Sequence, residues 1–443
     1  MTRARLDGFL LLLLGSALFV LVGFVRERLS PLPLTDFKAL YYSARSLLQN
    51  SDPYNPSELL RVYKAEGGDR PSDPAMHRRD VTLYVHPPTA FILTTPFAML
   101  AWGPAHILWM ILTAATFILA ACLMWSLAAD YAPVISGALI CIFLFNSELL
   151  LEVGNAAGIA ISLCVIAVWC FLRDRFVPLG ILCLALSLAV KPHDASPVWL
   201  YFLLAGGVCR KRALQTLVLT IALCLPGIVW ASHVAPNWMQ ELHANLATGS
   251  MRGEADDPGP ATLDPRDHGA IIISLQSAIS VFRDDPRIYN PASYLLCAPL
   301  LLIWALAALR KRFSQQSAWL ALAAIAALSM LPLYHRLHDT RLLLLTLPAF
   351  AMLWAEGGTT AWLALLFTAA AVVVTGDIPV QLLGILSAHL RESIPGFAGQ
   401  LLTLVLARPV PLMLLAMGIF YLWVYMRATS APPAPTVAAG SEQ

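Results

Sequence analysis

Long apolar runs separated by short polar segments dominate this chain. The runs fall near residues 8–25, 104–128, 134–148, 155–172, 177–191, 195–209, 213–232, 291–309, 315–332, 342–355, 359–376 and 409–427. A helix crossing a hydrocarbon core of roughly 30 Å needs about 20 such residues. Only helices and closed barrels satisfy the backbone there, and unbroken apolarity without strand-like alternation reads as helix. The pattern therefore predicts an all-α polytopic membrane protein with about 12 transmembrane helices. The segment 88–102 is apolar but short and contains Pro96, so it is expected to lie along the interface rather than to cross.

Charge sets the expected orientation. Arg3 and Arg5, Arg173 and Arg175, Arg210–Arg212 and Arg310–Arg312 punctuate the runs. Leaving 88–102 on the outer surface puts all four clusters on one side, the cytoplasmic one by the positive-inside bias. Both termini are then cytoplasmic. The run 8–25 is expected to be an uncleaved signal anchor, because Arg26, Glu27 and Arg28 follow it without a small-residue cleavage site. The outer side receives loops 26–103, 233–290 and 377–408, together with 149–154, 191–194 and 332–341. Within them, 36–49 has helical periodicity behind a Thr35 cap, while 380–390 and 397–407 are amphipathic enough to be interfacial. Segment 252–268 is expected to be a mobile loop. Residues 1–427 are read as one transmembrane domain and 428–443 as a disordered cytoplasmic tail.

Composition supports the class: 58% of the 443 residues are hydrophobic and 13% charged, about half the charge of a soluble domain. The net charge of +2 points to no nucleic-acid partner. The eight cysteines lie in or at the edges of apolar runs, so neither a disulfide framework nor a Cys-ligated metal is expected.

Candidate chemistry gathers in the outer segments. Asp36 stands where the chain leaves the first run, either as a helix N-terminal charge or as a general base at the membrane surface. Glu148 and Glu152 are four residues apart, close enough to share a helix face. Lys191, His193 and Asp194 end the fifth run; Lys191 could hold a phosphate as a point charge or snorkel to the interface. Tyr334–Arg341 packs His335, Arg336, His338, Asp339 and Arg341 between two apolar runs, a set suited to an anionic headgroup. A metal on His335 and His338 is not expected, for want of further ligands nearby. No Walker loop or dinucleotide fingerprint is present.

Several short motifs recur in a fixed order. Asp36-x-x-x-x-Tyr41-Tyr42-x-Ala44 opens the first outer loop, Asp52-Pro53-Tyr54 follows, and Tyr84-Val85-His86-Pro87-Pro88 closes it. Gly154-Asn155 follows the third run, Lys191-Pro192 ends the fifth, and Tyr334-His335-x-x-x-Asp339 comes late. Together they make the chain resemble glycosyltransferase family 87, polyprenyl-phosphate-mannose-dependent transferases of the GT-C membrane fold. The resemblance implies transfer of a hexose, mannose in the family's usual case, from a polyprenyl-phosphate carrier. The acceptor would be a hydroxyl of a glycan or glycolipid on the outer face of the cytoplasmic membrane. It implies Asp36 as general base for an inverting displacement, and Lys191, His335, His338 and Arg341 at the donor phosphate. Tyr41, Tyr42, Tyr84, His86, Glu152, Asn155, His193 and Asp339 would shape the site. No cofactor or metal is implied. Two departures stand out: Gly154-Asn155-Ala156-Ala157 replaces the Gly-Gln-x-Asn of many members, and His86 precedes the paired prolines. The rival reading is a transporter or flippase, which internal repeats and midplane charges would favour; neither is evident.

Overall fold

The structure, a computed structural model, describes residues 2–30, 33–66, 81, 83–254, 256–260, 272–391, 394 and 396–428. Helices make up most of it, and no strand is present among the described residues. Six are long and apolar enough to cross a membrane: Arg3–Leu29, Trp102–Ala128, Pro133–Glu152, Gly207–Val234, Pro286–Arg310 and Pro409–Arg427. A seventh candidate is the pair Gly358–Val374 and Asp377–Ser387, bent by 73°. Other expected spans are shorter helices, Ala157–Leu172, Val177–Val190 and Gln315–Leu328. They are 16, 14 and 14 residues long. Ala157–Leu172 and Gln315–Leu328 are almost wholly buried among other helices, so their apolarity serves protein neighbours as much as lipid. The chain is a multi-pass membrane protein.

Small residues set the closest helix contact. The first helix runs alongside Pro133–Phe145, with Gly15 facing Cys141 and Gly137 facing Gly8. A Cβ on Gly15 would lie 2.6 Å from the Cys141 Cα, so the backbones touch, as glycine-lined membrane interfaces allow.

The two ends of this bundle differ. At one end Arg5 and Arg173 both reach Asp130, at 2.5 and 3.3 Å, and Arg212 pairs with Asp174. At the other end Arg26 bonds Glu148 at 2.9 Å and Glu152 at 2.7 Å, which answers the like-charge pair seen in the sequence. Segments 35–65 and 84–98 cover this second end. Phe91–Ala98 is a single short helix packed on Thr35–Leu48 and does not cross. An aromatic cluster of Phe37, Tyr41, Tyr42, Phe97, Trp102 and Trp109 binds the layer together; Phe37 stacks on Trp109 at 4.4 Å.

Two local expectations change. Thr35 is not a cap but the first residue of its helix; the preceding Leu34 is left-handed (φ 54°) with no side-chain cap bond. The helix start is held instead by the Leu34 and Asp36 N–H groups, which donate to the Glu152 and Val153 carbonyls at 2.7 and 3.0 Å. The segments expected to be interfacial near 380–390 and 397–407 are helical, as Asp377–Arg391 and Gly396–Leu406. Of the expected loop 252–268, residues 255 and 261–268 lie outside the described residues, as does the tail from 429 onward. All eight cysteines are free thiols.

Candidate active site

Three chain segments converge under the layer that covers the second end. The first is the turn at Gly154-Asn155. Gly154 has φ +67°, and a Cβ there would sit 2.8 Å from Leu34 and Phe37 side-chain atoms, so only glycine lets the Thr35–Leu48 helix approach so closely. Its carbonyl accepts the Trp109 indole N–H at 3.0 Å. Asn155 Oδ1 accepts the Ala157 N–H at 2.8 Å, which fixes the amide so that Nδ2 donates to Asp36 Oδ2 at 2.6 Å. Asp36 is thus positioned by a side chain more than a hundred residues away.

The second segment is the break between helices Val177–Val190 and Pro192–Leu204. Pro192 forces the residue before it out of helical geometry, and Lys191 takes φ −137°, ψ 77°. Its ammonium is buried and lies 2.5 Å from Asp339 Oδ1 and 3.5 Å from Asp194 Oδ2. The third segment is the 3₁₀ helix Leu337–Leu345, whose start is capped by Asp339: Oδ2 accepts the Arg336 N–H at 2.8 Å. Asp339 therefore spends one oxygen on the backbone and the other on Lys191. Burial opposes its charge, but Lys191 together with the imidazoles of His338, His335 and His193 outweighs that and holds the carboxyl well below the usual range.

Around this pair stand four imidazoles. His338 lies 3.5 Å from Asp339. His335 and His193 approach Asp194 at 3.5 and 3.8 Å. His86 is close enough for Lys191, His193 and Asp339 to act on it electrostatically. Burial pushes His86 and His338 down to about 3, so both are neutral donors or acceptors at physiological pH. Burial also opposes charge on His335, yet the Asp194 carboxylate beside it raises its pKa. The charge of Asp36 acts on both Lys191 and Arg336, so the carboxylate lies near enough to the cluster to interact with it electrostatically. Arg336 is anchored by Asp256 and the Tyr334 hydroxyl, and Tyr334 donates to Asp256 at 2.7 Å.

The expected site residues divide accordingly. Asp36, Asn155, Lys191, His86, His193, His335, His338 and Asp339 come together. Tyr41 donates to the Leu100 carbonyl at 2.8 Å, and Tyr42 stacks on Trp102 at 5.8 Å; both are packing residues of the covering layer. Tyr84 stacks on Phe91 at 5.3 Å with its ring 5.8 Å from His86. Glu152 contributes its backbone carbonyl to the Asp36 helix and its carboxylate to Arg26. Arg341 is engaged elsewhere: fully buried, it bonds Asp377 at 2.6 Å and the Asn146 and Thr375 carbonyls at 3.1 Å each. Arg336, Asp194 and Asp256 join the cluster without having been among the assigned site residues. Arg336 and Asp194 lie inside motifs already noted, whereas nothing in the sequence marks Asp256.

The model of glycosyltransferase family 87 matches residues 84–331, more than half of the chain. The chain belongs to glycosyltransferase family 87. It is a membrane glycosyltransferase, and the transporter reading gives way. No curated protein and no solved structure matches it. The family match begins at Tyr84 and ends before His335, so it covers His86, Asn155, Lys191 and His193. The fold alone adds Asp36 from one side of the match and His335–Asp339 from the other.

Proposed function

We propose that this family 87 enzyme moves a hexose, mannose first among them, from a polyprenyl-phosphate carrier to a hydroxyl of a lipid or glycan acceptor. Its GT-C-type fold crosses the inner membrane 12 times, with both termini cytoplasmic and the site extracytoplasmic. The end of the bundle that carries Arg5, Arg173 and Arg212 supports that orientation. One observation carries the proposal: a carboxylate held by Asn155 at 2.6 Å lies within electrostatic reach of a buried ammonium, which a neutral imidazole accompanies.

Asp36 takes the proton of the acceptor hydroxyl as its oxygen attacks the anomeric carbon. The bond from that carbon to the phosphate oxygen breaks, and the electron pair leaves with the polyprenyl phosphate. Attack from the face opposite the leaving group inverts the anomeric centre. Lys191 meets the charge that develops on the phosphate, His338 donates to it, and Arg336 stands beside them. Such preorganised donors act most strongly in a site that excludes water. His86, His193, His335 and Asp339 shape the pocket around them. Lys191 must release part of its hold on Asp339 to do this, so donor binding and the ion pair compete. The outer segments 233–290 and 377–408 select the acceptor.

The test is transfer from radiolabelled polyprenyl-phosphate mannose and glucose by the purified protein in liposomes. Wild type should transfer, and Asp36→Asn should lose at least about 100-fold in kcat while keeping its melting temperature, as the loss of a general base requires. An active Asn variant refutes Asp36 as base; an inactive wild type with both donors refutes the donor class.

A further inference from the structure

We propose that His193, Asp194 and His335 form a binding site for one divalent cation of the zinc type, departing from the metal-free expectation drawn from the family. The starting point is a charge imbalance. Asp194 and Asp339 are each 1% exposed, and among the described residues Lys191 is the one fixed cation within 4 Å of either. Lys191 sits 2.5 Å from Asp339 and 3.5 Å from Asp194, so it is committed to Asp339. Asp194 is left buried, with no hydrogen bond to either oxygen. Its charge rests on Lys191 at 3.5 Å and on the His335 and His193 imidazoles at 3.5 and 3.8 Å, and a buried carboxylate so loosely held is costly.

The groups that face it are ligand atoms. His335 Nδ1 lies 3.2 Å from the Leu333 carbonyl, and a carbonyl can only accept, so Nδ1 carries the hydrogen. In the neutral ring Nε2 is then a bare lone pair, and it too is buried without a partner. It points at Asp194 Oδ1 across 3.5 Å, while His193 Nε2 approaches the same oxygen at 3.8 Å. The three ligand atoms lie within 4.8 Å of one another. Both gaps are too wide for a hydrogen bond. They are near the roughly 3.4 Å that separates ligands on a tetrahedron with zinc bonds of about 2.1 Å. A proton between His335 and Asp194 would serve two of the three atoms; a cation serves all three.

The surroundings fit the same occupant. Two imidazoles and a carboxylate are a known zinc donor set that leaves a fourth position open. The Nδ1–H bond to a backbone carbonyl is the outer contact that metal-bound histidines commonly make. The His193 side chain is 36% exposed, which provides an entry path. Lys191, neutralised by Asp339, touches the other Asp194 oxygen.

The experiment uses the full-length protein in detergent, purified without metal-chelate resin, stripped with EDTA and dialysed against Zn2+ or Co2+. Wild type should retain about one equivalent by elemental analysis and melt at a higher temperature than the stripped form. The Co2+ form should show the intense visible bands of a four-coordinate ion. His193→Ala, at a partly exposed position that should not disturb folding, should weaken Zn2+ binding by at least about 100-fold, beyond what outer-shell partners carry. No retained metal and no Zn2+-dependent melting shift in wild type would overturn the site and leave a proton in the gap. Equal binding by His193→Ala would also overturn it. Neither readout depends on sugar transfer, so this inference and the proposed reaction fail separately.

Discussion

Replacing Arg341 with methionine separates a phosphate-binding role from a structural one. The guanidinium is fully buried and ties three elements together: Asp377 at the bend after Gly358–Val374, Thr375 just before it, and Asn146 at the end of Pro133–Phe145. Methionine keeps the apolar stem beside the Phe143 ring but strands the Asp377 carboxylate, which retains the Leu149 N–H at 2.8 Å. Removing one partner of a buried ion pair costs about 3–5 kcal/mol. Spread over the unfolding entropy of a chain this long, about 1 °C per kcal/mol, the apparent melting temperature should drop by about 3–6 °C. Asp377→Asn added to Arg341→Met removes the stranded charge while the amide oxygen still accepts from Leu149. The double variant should therefore recover about 2 kcal/mol, the non-additivity expected of residues in contact. Thermal unfolding in detergent reads both, and donor kinetics should show apparent kcat falling only with the folded fraction while the donor KM holds. A single variant that melts within about 2 °C of wild type while the donor KM rises tenfold would refute the brace and place Arg341 at the phosphate.

Asn155→Ala should lower kcat by about 10–100-fold with the donor KM unchanged, the loss expected when a charge-assisted bond of about 1.5–3 kcal/mol no longer orients Asp36; an unaltered kcat would show that the amide is dispensable. Gly15→Leu should lower the melting temperature by a few degrees, since overpacking a close contact costs about 1–3 kcal/mol, whereas Gly103→Leu, where a Cβ meets nothing within 4 Å, should not. Glu241 is pushed up to about 7 by burial and by the Asp52 carboxyl. A folded pKa above the ordinary 4.5 means a contribution present in full below that value and lost as pH rises through 7. Wild type should therefore lose heat stability between pH 5 and 8 more steeply than Glu241→Gln; parallel curves would refute the pairing with Asp52.

The residues of the pocket were legible to different degrees. Asp36, Lys191, His193, His335, His338 and Asp339 stood out because an ionisable group beside an apolar run is expensive unless something needs it; the last five cluster around Asp194 and Asp339, and Asp36 acts on the cluster electrostatically. Glu148 and Glu152 stood out for the same reason, yet their partner is Arg26, and the pair serves the bundle end. Tyr41 and Tyr42 looked like site residues because they follow Asp36 in a motif, but a helix turns 100° per residue and carries their rings away into the aromatic layer. Asp194 and Arg336 were within the noted motifs; nothing local distinguishes them from their neighbours as members of the cluster.

What the sequence alone determined is whatever one residue or one segment decides against its solvent. Apolar length made the chain a multi-pass membrane protein, and the charges set apart the chemical segments. The tertiary structure decided what depends on partners. Helices of 14–16 residues at expected spans owe their apolarity to other helices as well as to lipid, a difference that hydropathy does not register. Arg341 and Arg336 are cations five residues apart, yet one closes on Asp377 and the other on Asp256. Their partners lie on segments whose approach is set by glycine contacts and helix breaks. An ion pair buried in a low-dielectric interior is stable only in one geometry, and that geometry belongs to the packed bundle.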